Sequence, residues 1–428
     1  MALRNDIDPD GLLEFSVVFT DRSLNHMSAA FQQVMRDISA GLCEVYNADA
    51  VAVVPGGGTY GMEAVARQFA TGKRAMVIRN GFFSYRWSQI FEMGAIPAEE
   101  TVMMARRTGN DATAPFAPCP LDEVIAKIEA EKPEVVFAPH VETSSGIILP
   151  DDYIRAVTDA VHANGGLFVL DCIASGTIWA DMKALGVDVL ISAPQKGWSA
   201  QPSAGLVMMN DTALAAAKAT KSTSFAIDLG KWIAIMEAYT NGGHAYHATM
   251  PTDALRAFRD AMHETRDYGF DKLKDAQWEQ GRRVRAALAE RGFKSVAAPG
   301  FEAPGVVVVY TDNPEFQTGK AFLGQGVQIA AGVPLMVGEG EGYKSFRLGL
   351  FGLDKLNRKD TDPGTYEAVW HILSNLCNAA WAVGCKVSSS PIAAAVTDVS
   401  FSSRTRRLRL YICMCFLHHF SMPGNCQN

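Results

Sequence analysis

The chain has no excess of basic residues, no paired-cysteine motif, no histidine cluster at metal-binding spacing and no long apolar run. Each absence removes a class of function. Lys and Arg number 39 against 46 Asp and Glu, a net charge of −7, so no basic surface is expected for nucleic acid. The nine histidines form no tight metal motif, and His244-x-x-His247 stands alone. No metal site is expected. The eight cysteines are scattered without a CxxC pair, and the first residues carry no export-type stretch. Reduced thiols in a cytoplasmic compartment are therefore expected, with an organelle left open. No apolar stretch reaches membrane-spanning length. What remains is 428 residues, 48% hydrophobic and 20% charged. That describes a soluble globular protein with length enough for two domains.

One stretch organises the rest. Val189-Leu190-Ile191 reads as a buried strand and gives way to Ser192-Ala193-Pro194-Gln195-Lys196. Gly197, Ser199, Ala200, Ser203, Ala204 and Gly205 crowd the lysine with small side chains and leave room for a flat ligand. Desolvation disfavours an ammonium, so such a lysine can serve as a neutral nucleophile for a Schiff base. A surface lysine on a turn is the plainer reading. A second apolar run, Leu167 to Leu170, ends in Asp171. Between the two strands lies Trp179 to Gly186, a short helix-like segment. In a parallel sheet both polar residues would then face one crevice at the strands' carboxyl ends. An acid and a lysine there suit pyridoxal phosphate (PLP), the acid keeping the ring nitrogen protonated. A helix cap or a structural ion pair is the alternative for Asp171.

Earlier in the chain a helical pattern runs from Met27 through Tyr46. A strand from Ala50 to Val54 leads at once into Pro55-Gly56-Gly57-Gly58-Thr59, and Tyr60 to Phe69 reads as a helix. A glycine turn at a helix start exposes backbone N–H groups, which suits phosphate, although glycine turns are often only turns. It has neither a P-loop ending nor dinucleotide spacing. Ala75 to Ile78 is the next strand, followed by Asn80-Gly81-Phe82-Phe83-Ser84. Phe82 is read as ordinary core packing. Val135 to Ala138 is a strand ending in the polar run His140 to Gly146, and Val306 to Tyr310 and Phe346 to Leu350 read as strands of a later region. Asp267 to Arg291 reads as one long helix, with the domain boundary inside it. The alternation of strands and helices up to about residue 210 implies a mostly parallel sheet covered on both faces.

Together these residues resemble a class V, fold-type I PLP-dependent aminotransferase. Within that class they are most similar to the alanine–glyoxylate and serine–glyoxylate enzymes. The resemblance rests on PGGGTYGMEA (55–64), NGFFSYR (80–86), HVETSSG (140–146), LDCIAS (170–175), SAPQKGW (192–198), YHATMP (246–251) and FRLGLFG (346–352), in the family's order. It implies an α/β fold: a large domain with a mostly parallel seven-stranded sheet, over residues 1–270, and a smaller α+β domain over 271–380. It also implies PLP as cofactor, Lys196 as its Schiff-base lysine and Asp171 as the partner of its ring nitrogen. Gly57, Gly58 and Thr59 would meet the phosphate, helped by Gln195. Phe83 would stack on the ring where relatives often carry tryptophan, Thr143 would bond its phenolic side, and Ile173 would press on the other face. Tyr246 and Thr249 match residues that reach the neighbouring subunit's phosphate, which implies a homodimer with shared sites. Arg347 would pair with the substrate's α-carboxylate through its planar fork.

The expected activity is ping-pong transfer of an amino group from a small amino acid, alanine or serine, to a 2-oxo acid such as glyoxylate. Two alternatives stand beside it: another class V PLP enzyme, a cysteine desulfurase or lyase, or a non-catalytic scaffold relative. The sequence departs from the family twice. EFSVVFTDRSLNHMS replaces a Gly-Pro-rich N-terminal segment, and residues 381–428 match nothing expected and read as a disordered tail.

Overall fold

The computed structural model describes residue 8, residues 11–323 and residues 327–356. The expected tail, and residues 357–380 of the expected small domain, lie outside the described residues. Seven strands form the main sheet: β1 (Ala50–Pro55), β2 (Arg74–Arg79), β3 (Glu99–Met104), β4 (Val135–Pro139), β5 (Leu167–Asp171), β6 (Val189–Ser192) and β7 (Ala204–Met209). Their spatial order is β1-β7-β6-β5-β4-β2-β3. Neighbours run parallel except at β7, which is antiparallel to both β1 and β6. Strands β4, β5 and β6 are buried along their whole length. Their unbroken apolar runs are what strands covered on both faces require.

The register sets the site. Pro139 of β4 and Ile191 of β6 both lie opposite Asp171 of β5. The carboxyl ends of three neighbouring strands therefore emerge at one level. The turn bearing Lys196 follows directly from β6, beside Asp171.

Helix α1 (Ala29–Tyr46) starts later than the expected Met27, because Ser28 accepts from the Phe31 N–H at 3.1 Å and caps it. Such a cap contributes about 1 kcal/mol. Helix α2 (Gly58–Phe69) takes in Gly58 and Thr59, two residues ahead of the expected start. It lies tight on β7: a Cβ on Gly205 would stand 2.7 Å from Gly61 Cα. Helix α3 (Phe82–Gly94) follows β2.

Two expectations about helices need correcting. The helix expected from Asp267 to Arg291 is observed as Phe270–Glu290, starting three residues later because a separate helix, Thr252–Tyr268, ends just before it. Gly269 separates them at φ +102°, a conformation that glycine adopts without strain. The helix-like reading of Trp179 to Gly186 holds only for Met182–Leu185, which Asp181 caps and Gly186 ends at φ +74°. Trp179 instead packs on Trp198, with ring centroids 4.8 Å apart.

A second, antiparallel sheet has the order β8-β10-β9, formed by β8 (Val306–Tyr310), β9 (Ala330–Ala331) and β10 (Ser345–Gly349). Strand β10 begins one residue before the expected Phe346. Arg347 sits at its middle, opposite Val308 on one side and Ala330 on the other.

Candidate active site

Asp171 and Lys196 come together as the strand order requires. Asp171 is buried, and its Oδ1 accepts from the Ile173 N–H at 2.9 Å. Among the described residues it forms no ion pair. Burial is the largest influence on its carboxyl, which is pushed up to about 7, and neighbouring Glu142 adds to the rise. Arg86 and Lys196 pull the other way. The Lys196 amine is pushed below its usual value, first by burial and then by the charges of Arg347 and Arg86. Both groups are thus held nearer neutrality than in water, for the same reason: the crevice desolvates charge.

The turn that carries Lys196 is seated by close backbone approaches. A Cβ on Gly197 would stand 1.9 Å from the Gly176 carbonyl oxygen. One on Gly352 would stand 2.1 Å from Ser199 Oγ and 2.9 Å from the Lys196 carbonyl oxygen. The end of the FRLGLFG segment therefore lies directly on the lysine turn.

The glycine turn after β1 faces the same crevice. Gly56 has φ +124°, so the bend needs a residue without Cβ. A Cβ on Gly57 would meet nothing within 4 Å, whereas one on Gly58 would stand 2.6 Å from Ile173 Cδ1. The turn is thus open on one side and packed against the segment after Asp171 on the other. The first N–H groups of α2 have no acceptor within the helix, and Gly57 offers no side-chain cap. Thr59 Oγ1 accepts from Arg86 Nη1 at 3.0 Å. Gln195 Oε1 is buried without a hydrogen-bond partner.

Glu142 organises the facing wall and was not singled out from the sequence. Its carboxylate is fully buried and accepts from the N–H groups of Phe83 (3.2 Å), Ser84 (2.8 Å) and Ser144 (3.0 Å). It also accepts from the Ser84 and Ser144 hydroxyls, at 2.7 and 2.8 Å. An anion at the start of α3 is a stable arrangement, and here it ties Phe83 to the loop carrying the buried Thr143. Two guanidinium groups lie near the Phe83 ring. Arg86 Cζ lies 5.1 Å from its centroid and Arg347 Cζ 5.6 Å. Arg347 Nε donates to the Ala331 carbonyl at 2.8 Å, which fixes its fork. Phe82 is only partly buried and packs edge-on against Phe83 at 5.8 Å.

Tyr246 and Thr249 stand apart. The Tyr246 hydroxyl bonds Thr249 Oγ1 at 3.1 Å, its side chain is half exposed, and its ring packs on His26 at 5.5 Å. Among the described residues no hydrogen bond or ring contact joins either residue to Lys196, Asp171 or the glycine turn.

Comparison with known proteins places the chain in a family. The family description "Aminotransferase class-V" matches residues 14–337. The chain belongs to the class V aminotransferases. It is 24% identical over 311 residues to a protein of Synechococcus sp. named soluble hydrogenase, small subunit, covering 72% of this chain and 77% of that one. It is 26% identical over 296 residues to alanine–glyoxylate aminotransferase of Rattus norvegicus, covering 67% and 68%. Its fold matches the crystal structure of ureidoglycine–glyoxylate aminotransferase from Bacillus subtilis with a TM-score of 0.69 at 19% identity, over 88% of this chain and 90% of that one. The protein is a PLP-dependent transaminase of fold-type I, acting on an amino acid and a keto acid.

Proposed function

We propose that this aminotransferase moves the amino group of a small amino acid, alanine or serine, to glyoxylate or a similar short 2-oxo acid. The observation that carries the reading is the convergence of Lys196, Asp171 and Arg347 on one desolvated crevice, each influencing the next electrostatically. The names of the rat and Bacillus relatives supply glyoxylate. Phe83 beside Arg347, and Phe351 beside Lys196, favour a short substrate side chain.

The residues present fit the cofactor. Asp171 is a buried carboxyl with no cationic partner among the described residues, and a protonated ring nitrogen would supply one. The open side of Gly57 and the uncapped start of α2 suit its phosphate, with Thr59 and Gln195 beside them. Phe83 and Ile173 would bound the two faces of its ring, and Thr143 would meet its phenolic side. When bound, PLP accepts the electrons released when the substrate's Cα–H bond breaks.

Each side chain has its own task. With PLP bound, the Lys196 amine, its pKa lowered first by burial and then by the charges of Arg347 and Arg86, would carry the cofactor and take the Cα proton. Asp171 would hold the ring nitrogen's proton in place. Arg347 would hold the α-carboxylate with its planar fork, which would set the Cα–H bond relative to Lys196.

The shared dimeric site belongs to this proposal. Tyr246 and Thr249 face outward from the single chain, where a second copy could receive them. We also read residues 1–270 as the cofactor domain and residues 271–380 as the smaller one, a reading supported by the three-stranded sheet being separate from the seven-stranded one. A cytoplasmic setting is supported by Cys43, Cys119 and Cys172 being free. The desulfurase alternative gains nothing from Cys172, which is buried with its thiol pushed up by desolvation. Cys377 and Cys385 lie outside the described residues.

The test is a donor panel. Purified enzyme with PLP is given glyoxylate and one amino acid at a time, and glycine is measured. Glycine formed fastest from alanine or serine supports the proposal. Glycine formed only from large or acidic donors refutes it.

A further inference from the structure

Arg86 lies in the motif NGFFSYR, yet the sequence reading gave it no role. Its guanidinium reaches from α3 to the first turn of α2, where Nη1 donates to Thr59 Oγ1 at 3.0 Å. Its Cζ lies 5.1 Å from the Phe83 centroid, within range of a cation–π attraction that fixes its approach. Among the described residues it has no carboxylate partner. A guanidinium without a carboxylate partner among the described residues stands beside a glycine turn where a Cβ on Gly57 would meet nothing within 4 Å.

The direction of that hydrogen bond has a consequence. A guanidinium only donates, so Thr59 must be the acceptor, and the hydroxyl's single proton stays free for another group. The surrounding donors of the α2 start cannot take it. An ionised phosphate oxygen can, because it only accepts.

We propose that Arg86 is a positioning residue that fixes Thr59 as a hydrogen-bond donor, so that the pocket selects a phosphorylated cofactor over its unphosphorylated form. The inference rests on the phosphate reading of the glycine turn. Arg86's charge also reaches the reacting groups, opposing protonation of Lys196 and favouring ionised Asp171. One side chain thus links the phosphate end of the site to its chemical end.

The experiment measures binding, independent of turnover. Cofactor-free, full-length protein is titrated with PLP and, separately, with pyridoxal, which lacks the phosphate. The variants are Arg86→Met, Arg86→Lys, Thr59→Val and the double variant Arg86→Met with Thr59→Val. Wild-type protein prefers PLP. Arg86→Met is expected to lose about tenfold or more in PLP affinity beyond any change in pyridoxal affinity, the scale of a hydrogen bond to a charged group. Retained pyridoxal binding also reports an intact fold. Arg86→Lys keeps part of the preference, since an ammonium too can only donate. The double variant loses little more than Thr59→Val alone, because both changes remove one coupled interaction.

Equal losses for PLP and pyridoxal in Arg86→Met and Arg86→Lys alike would overturn the proposal. So would additive losses in the double variant. If wild-type protein itself shows no preference for PLP, the phosphate reading fails first and this inference with it.

Discussion

Lys196 Nζ lies 5.2 Å from the centroid of the Phe351 ring. The lysine comes from the turn after β6, and the phenylalanine follows β10 of the other sheet. The reacting amine is therefore placed by both sheets at once, and Arg347 comes from the same strand that leads to Phe351. The arginine that would hold the substrate and the aromatic ring beside Lys196 thus belong to one five-residue stretch of chain, 347 to 351.

Lys196→Ala is expected to lower turnover by roughly three orders of magnitude or more, as removal of a covalent catalyst does. Borohydride reduction should fix cofactor to Lys196 in the wild type and leave the variant unlabelled. Label on another lysine would remove Lys196 from the central role.

Asp171 makes a prediction about the cofactor-free protein. Its carboxyl stands at about 7 in the folded chain, raised chiefly by burial, against the usual 3.8. Between those values the folded state keeps a proton that the unfolded state has released. Stability therefore falls as pH rises through that window, by at most about 1.4 kcal/mol per unit. The loss is complete above the folded value. Asp171→Asn removes this dependence, so its denaturation midpoint should gain on the wild type between about pH 5 and about pH 8. With cofactor present, the same variant should turn over at least about tenfold more slowly. Parallel pH profiles for the two proteins would show that Asp171 is not held protonated.

The nearness of Asp171 and Lys196 was legible in the sequence because Asp171 ends one buried strand and Lys196 follows the next, and the carboxyl ends of parallel strands share a crevice. Glu142 was not legible, although HVETSSG was noted. Nothing in one sequence says that its carboxylate would be buried against N–H groups from α3, which lies about 60 residues earlier. Arg86 was hidden for a similar reason, since its partner Thr59 belongs to another helix. The break at Gly269 was missed because charged residues continue on both sides of it. Only the backbone angle shows that two helices meet there.

Arg347→Lys should raise KM for both amino and keto acids by about tenfold or more, with PLP affinity little changed. The charge stays, but the fork that Ala331 orients is gone. Steady-state kinetics with each substrate varied decides this. An unchanged KM would place the carboxylate elsewhere.

Tyr246 and Thr249 are expected to act across a dimer. Lys196→Ala protein mixed with the double variant Tyr246→Phe, Thr249→Ala should regain activity after subunit exchange. One site in each mixed dimer is then complete, so recovery should reach about half of wild type per mixed dimer. Activity is measured once exchange is verified by mass. An impaired double variant that gives no recovery on mixing would mean that the two residues serve their own subunit.

The most direct test of the whole account is the visible absorption spectrum of the purified enzyme with bound PLP through one complete cycle. Added alanine or serine should abolish the band of the Lys196-bound cofactor, with pyruvate or hydroxypyruvate released in equal amount. Glyoxylate added after removal of the donor should restore the band and yield glycine. A band that no amino acid shifts, or one that donors shift and no 2-oxo acid restores, would contradict amino-group transfer at this site.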